Sequence, residues 1–132
     1  MRKNIFQLLV MAVMCGLVLG ACGEYQRAQK STDFNYKFDY AKRAFEDKKY
    51  VQAATLLKDC ITVFKGSDKA EESLYLLGLS HYENKDYLNS GAYFHTYYTR
   101  YPKGKYAELA RFYCGYGYYL TPLSHSSTRR AR

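Results

Sequence analysis

Few side chains in this chain are reactive, and their spacing supports little chemistry. His81, His95 and His125 are scattered, and none has Cys or acidic residues at ligand spacing. No Ser stands in a nucleophile-elbow context, and no Gly-rich loop follows a strand to cradle phosphate. Glu71-Glu72 reads as an acidic pair in the first turn of a helix, favoured by the helix dipole. Cys60 and Cys114 face helix seams a full structural repeat apart, too far to bridge, and are expected as buried free thiols. The expectation is a non-enzyme with no catalytic residue, no metal and no cofactor.

Cys22 is the exception, and its context supplies the chemistry. Arg2 and Lys3 form a basic start, an apolar run follows from Ile5 to Leu19, and Leu19-Gly20-Ala21-Cys22 closes it. The run is short for a membrane-spanning helix and ends on small residues, as a secretory signal does. The tetrapeptide resembles the lipobox of bacterial lipoproteins. That resemblance implies a signal peptide over 1–21, cleavage before Cys22, and a diacylglycerol thioether on Cys22. Gly23 follows the cysteine where Asp would mark inner-membrane retention, so the resemblance implies the periplasmic face of the outer membrane. Acyl chains of this number anchor a water-soluble domain stably. The polar stretch 22–33 is expected as a lipidated flexible tether.

These residues must be held by a small body. The chain has 132 residues, room for one small domain or a short repeat array. Hydrophobic residues make up 48% and charged residues 24%, which excludes wholesale disorder. Sixteen Tyr and 7 Phe with no Trp predict a Tyr-rich core. Four Cys are too few for a disulfide scaffold. The formal charge of +8 falls to +6 without Arg2 and Lys3, and to +3 without Arg129, Arg130 and Arg132. So mild an excess points to no nucleic-acid partner.

From Phe34 onward apolar residues recur at three- and four-residue spacing, which predicts an all-α body. Helices are expected near 34–48, 51–65, 69–84, 88–101 and 105–120, with Ser67 or Asp68 capping the third. A 37-residue translation then carries Ala41 onto Gly78 and Gly115, Phe38 onto Tyr75 and Phe112, and Phe45 onto Tyr82 and Tyr119. Tyr50 falls on Tyr87. Paired helices repeating at such a period are a solenoid signature. Small residues at 41, 78 and 115 are expected to let helices approach closely. Ser90-Gly91 weakens its helix, since an interior Gly costs about 1 kcal/mol.

Leu77-Gly78, Tyr82, Asp86-Tyr87, Phe94 and Pro102 resemble the tetratricopeptide repeat, although the period is longer than the usual ~34 residues. The resemblance implies a solenoid of two full helix pairs and one further helix, with units 34–66, 67–102 and a partial 103–120. The runs from Ala70 to Tyr82 and from Tyr98 to Glu108, behind a lipobox, are similar to the BamD-type outer-membrane assembly lipoproteins. That resemblance implies a lipid-anchored scaffold of β-barrel assembly whose partners are unfolded barrel precursors and other assembly subunits. The alternative is a generic periplasmic adaptor for envelope or peptidoglycan factors. Family chains run about twice as long, and residues 121–132 break the 37-residue register, since Ser124 stands where Tyr is expected. This basic end is expected as a disordered tail, either genuine or the mark of an interrupted gene.

The register places Phe38, Tyr75 and Phe112 on one row and Phe45, Tyr82 and Tyr119 on another, with Lys42, Leu79 and Tyr116 between. One reading is an aromatic groove for an extended or helical peptide. The other is that these rings pack the interior of the superhelix.

Overall fold

The computed structural model describes the backbone of residues 1–130 and the side chains of 1–13 and 23–121. Cys15, Cys22 and His125 therefore lie outside the described side chains. Among the described residues the chain is all-helical, with α1 Arg2–Lys30, α2 Phe34–Glu46, α3 Tyr50–Val63, α4 Asp68–Glu83, α5 Tyr87–Arg100 and α6 Ala107–Arg130. From α2 onward each helix packs chiefly on the next in sequence. Short connections make consecutive helices antiparallel. Phe38 at the start of α2 meets Phe64 just beyond α3, while Phe45 at its end meets Tyr50 at the start of α3. The arrangement is compatible with a helical solenoid.

The helix ends follow from local chemistry. Asp33 opens α2 by accepting from the Asn35 and Tyr36 amides at 3.0 and 3.2 Å. Asp86 caps α5 through the Asn89 amide. Ser67 does stand at the N-cap of α4, but its hydroxyl donates to the Phe64 carbonyl at 2.7 Å instead of capping. α2 and α4 end alike. Lys48 and Lys85 adopt left-handed φ values of 61° and 62°, and the next amide reaches back to Ala44 or His81. These two lysines are 37 residues apart, so the sequence repeat is also a backbone repeat.

Two continuous cores lie along the array. One joins Ala28, Phe38, Tyr40, Ala41, Leu56, Leu57, Cys60 and Leu77. The other joins Leu74, Tyr75, Phe94, Tyr97, Ala110 and Cys114. Ile61 and Tyr93 pack against both. Cys60 and Cys114 are buried and free, as expected.

Two expectations are corrected. The segment expected as a flexible tether over 22–33 is helical through Lys30. Gly23 is its one weak helix former before Ser31, and it has surface to bury: Ala28 is fully enclosed and Tyr25 lies 6.4 Å from the Tyr40 ring. Beyond Leu120 the backbone of α6 continues to Arg130 instead of fraying at 121. The Thr121 hydroxyl takes up the Gly117 carbonyl at 2.9 Å, and the helix, nucleated against α5, continues through Pro122 although that residue has no amide to donate. Among the described residues no helix is long and apolar enough to cross a membrane.

Candidate functional site

The aromatic rows start from the helix A positions of each unit, so α2, α4 and α6 position them. They do not form one open groove. Phe38 and Tyr75 are 3% and 8% exposed. Phe38 sits edge-on to Phe64 at 6.1 Å, with the Lys42 and Lys69 ammonium groups over its ring. Tyr75 stacks on Tyr106 at 4.1 Å and meets Phe94 and Tyr97 edge-on. Burial pushes its hydroxyl up to about 12. Phe45 and Tyr82 are half-buried and turn to the first residue of the next helix, Tyr50 at 5.5 Å and Tyr87 at 5.4 Å. Lys42 is half-buried and paired with Glu72 at 2.8 Å, and Leu79 packs on the second core. Phe38 and Tyr75 thus pack the interior and are withdrawn from any peptide surface.

The third member of each row behaves differently. Phe112, Tyr116 and Tyr119 are 60%, 40% and 68% exposed. They stack along α6, Phe112 on Tyr116 at 5.7 Å and 17°, Tyr116 on Tyr119 at 6.1 Å and 18°. Tyr113, which the register did not single out, ties this ladder inward by stacking on Phe94 at 5.2 Å and meeting Tyr82 at 4.9 Å. The candidate site is therefore the outward face of α6.

The repeat positions also separate. Ala41 is fully buried, and a Cβ on Gly78 would stand 2.9 Å from the Phe94 ring, so both allow close approach. Gly115 does not: a Cβ there meets no described atom within 4 Å. Gly91, expected only to weaken α5, has a contact role. A Cβ on it would meet the Tyr118 ring at 3.2 Å, and one on Gly117 would meet the Tyr87 carbonyl at 3.1 Å. Pro102 lies exposed just after α5, where it stops the helix.

The polar groups hold structure. Glu71, expected as a helix-dipole acid, reaches across to the α5–α6 turn. Its carboxylate accepts from the Tyr97 hydroxyl and from the Lys105 amide at 2.8 Å, while the Tyr106 amide donates to Tyr97 at 3.1 Å. Burial and that carboxylate push the Tyr97 hydroxyl far up. The repeat gives no hint of it, because residue 34 of the first unit is Phe and Glu108, the equivalent in the third, pairs instead with Arg111 on its own helix. Lys37 is buried and reaches Asp59 at 2.9 Å. His81 lies in a seam, its Nδ1 2.9 Å from Asp86 and its ring stacked on Tyr93 at 5.1 Å. Burial raises the Asp86 carboxyl, but hydrogen bonds from Asn89 and His81 outweigh it and hold the group below the usual range. Among the described residues no group of His, Cys, Asp and Glu could hold a metal.

No family model, curated protein or solved structure matches this chain.

Proposed function

We propose that the chain is a lipid-anchored tetratricopeptide-type scaffold of outer-membrane β-barrel assembly, binding unfolded barrel precursors and partner subunits. The observation that carries this reading is the exposed Phe112–Tyr116–Tyr119 ladder on α6, whose row partners Phe38 and Tyr75 are buried and Phe45 and Tyr82 half-buried. Amphipathic rings on a rigid helix suit binding rather than chemistry, because they offer large contact area at low entropic cost. The lipobox Leu19-Gly20-Ala21-Cys22 supports the lipid anchor and the outer-membrane address. The repeat supports the tetratricopeptide assignment through its register: Phe45–Tyr50 and Tyr82–Tyr87 are equivalent edge-on pairs with interplanar angles of 64° and 68°.

Barrel strands present alternating apolar and aromatic side chains before they insert, and an aromatic face matches them. The test places a photocrosslinking residue at Tyr119 of the full chain and offers purified, urea-unfolded porin. Adducts are expected, weakened about tenfold by Phe112→Ala with Tyr116→Ala. Equal adducts with an unfolded soluble protein would overturn the barrel assignment and leave a general envelope adaptor. In cells, Cys22→Ser is expected to abolish acyl labelling and membrane retention; retention of both would remove the lipid anchor from the reading.

A further inference from the structure

The cations of this chain are spread unevenly over the array. Because successive helices are antiparallel, the turns 31–33, 64–67 and 101–106 lie along one edge of it. Lys30, Lys65, Lys69, Arg100, Lys103 and Lys105 stand in or beside these turns. All six are exposed, and none forms an ion pair. The carboxylates nearby are already taken. Asp33 accepts from two α2 amides, Glu71 from the Lys105 amide, Asp59 holds Lys37 and Glu72 holds Lys42. Asp68 is the one carboxylate beside these turns without a partner among the described residues. On the opposite edge Lys48, Lys49 and Lys85 alternate with Glu46, Asp47 and Asp86, and Lys49 pairs with Asp47 at 3.3 Å. The three basic turns form one surface. The Lys69 ammonium donates to the Asn35 side-chain carbonyl, joining the start of α4 to that of α2. Glu71 joins the start of α4 to the α5–α6 turn through the Lys105 amide at 2.8 Å. Two of the cations are also held in place by rings. Lys69 lies over Phe38 and Phe64 at 5.9 and 5.3 Å, and Lys105 over Tyr106 at 5.1 Å.

We propose that this basic edge docks an acidic segment of a partner protein, rich in Asp and Glu. Cations gathered without counter-charges raise the local potential and draw an anionic partner. Those already fixed by rings and by Asn35 lose little freedom when it binds. The occupant is a protein and not a lipid surface, because residues 23–30 run back along α2 away from this edge, with Tyr25 against Tyr40. A lipid on Cys22 therefore holds the membrane on the opposite side. That choice of occupant rests on the lipid anchor of the proposed function, whereas the charge pattern does not. The surface uses none of the α6 ladder rings.

The test uses the full chain in neutral detergent and a fluorescent peptide of alternating Asp and Gly, followed by anisotropy. Saturable binding is expected, and added salt is expected to weaken it steeply. Lys65→Gln with Lys103→Gln is expected to weaken it about tenfold. Lys48→Gln with Lys85→Gln removes the same charge from the opposite edge and is expected to leave it nearly unchanged. Circular dichroism reports whether each variant keeps its helicity. Equal weakening by the two pairs would overturn the proposal, because net charge alone would then account for the binding. Absence of saturable binding would overturn it as well. So would release of the peptide by phosphatidylglycerol added to the micelles, which makes the occupant a lipid surface. None of these outcomes alters crosslinking at Tyr119 or acyl labelling of Cys22, so failure here is distinct from failure of the proposed function.

Discussion

At the residue scale, the chain commits its polar chemistry to holding turns. Glu71 is the clearest case. It satisfies the Tyr97 hydroxyl and the Lys105 amide together, and Tyr97 in turn satisfies the Tyr106 amide. Removing the Tyr97 hydroxyl leaves the part-buried Tyr106 amide without its acceptor, while Glu71 keeps the Lys105 amide, and an unmet buried donor costs about 1–3 kcal/mol. Tyr97→Phe is therefore expected to lower the free energy of unfolding by that amount, read as a lower urea midpoint at unchanged slope, with the same helical signal before unfolding. The buried hydroxyls and thiol also set a pH dependence. Burial pushes Cys60 up to about 11 and Tyr75 up to about 12, and Tyr97 rises as well. A group raised on folding stabilises fully below its ordinary pKa and loses that contribution as pH climbs toward the folded value. Stability is thus expected to hold through neutral pH and to fall from about pH 9 upward. A melting temperature that stays flat from pH 9 to 11.5 would contradict this. Both effects were hidden in the sequence. A run such as Ala70-Glu71-Glu72 shows a favourable helix start, but not that one carboxylate crosses to another helix.

At the element scale, the repeated backbone makes paired predictions. Lys48 and Lys85 hold left-handed turns that L side chains adopt at a cost. Lys85→Gly relieves that strain and loses little else, so a gain of about 0.5–1 kcal/mol is expected in urea unfolding. The two helical glycines of α6 should diverge. Gly117→Ala forces a Cβ to within 3.1 Å of the Tyr87 carbonyl, and is expected to destabilise by about 1–3 kcal/mol. Gly115→Ala enters open space and regains helix propensity, so it is expected to stabilise by about 0.5–1 kcal/mol. Equal effects of the two changes would mean that α5 and α6 do not close as described. Periodicity placed four helices and the start of the fifth to within a few residues because apolar spacing and breakers such as Gly66-Ser67 are local signals, whereas the fifth was expected to end at 120 and runs to Arg130. The same spacing could not tell Gly78, which meets Phe94, from Gly115, which meets nothing, because that depends on whether a further helix lies outside it.

At the scale of the whole molecule, the two ends of the described array differ. Residues 23–30 pack Tyr25 and Ala28 onto α2 and α3, so α1 enters the bundle as a docked segment. Hydrogen exchange over 23–30 is expected to be slowed to near the level of α2, and Ala28→Asp should release it by burying a charge. Exchange as fast as in an unstructured peptide would restore a flexible tether. With the lipid on Cys22 that the proposed function requires, this docking would fix the angle between array and membrane. At the other end, the aromatic ladder of α6 stays exposed. The sequence by itself determined the helices between Phe34 and Leu120, the 37-residue register and which positions would be small or aromatic, because these depend on neighbours a few residues away. It placed Phe38, Tyr75 and Phe112 in one row and could not say which of them a ligand would meet. Tertiary structure decided that, since exposure is a property of what packs alongside. Tyr75 is covered by Phe94, Tyr97 and Tyr106, whereas Phe112 has only its own helix neighbours, Tyr113 and Tyr116, as ring partners among the described residues.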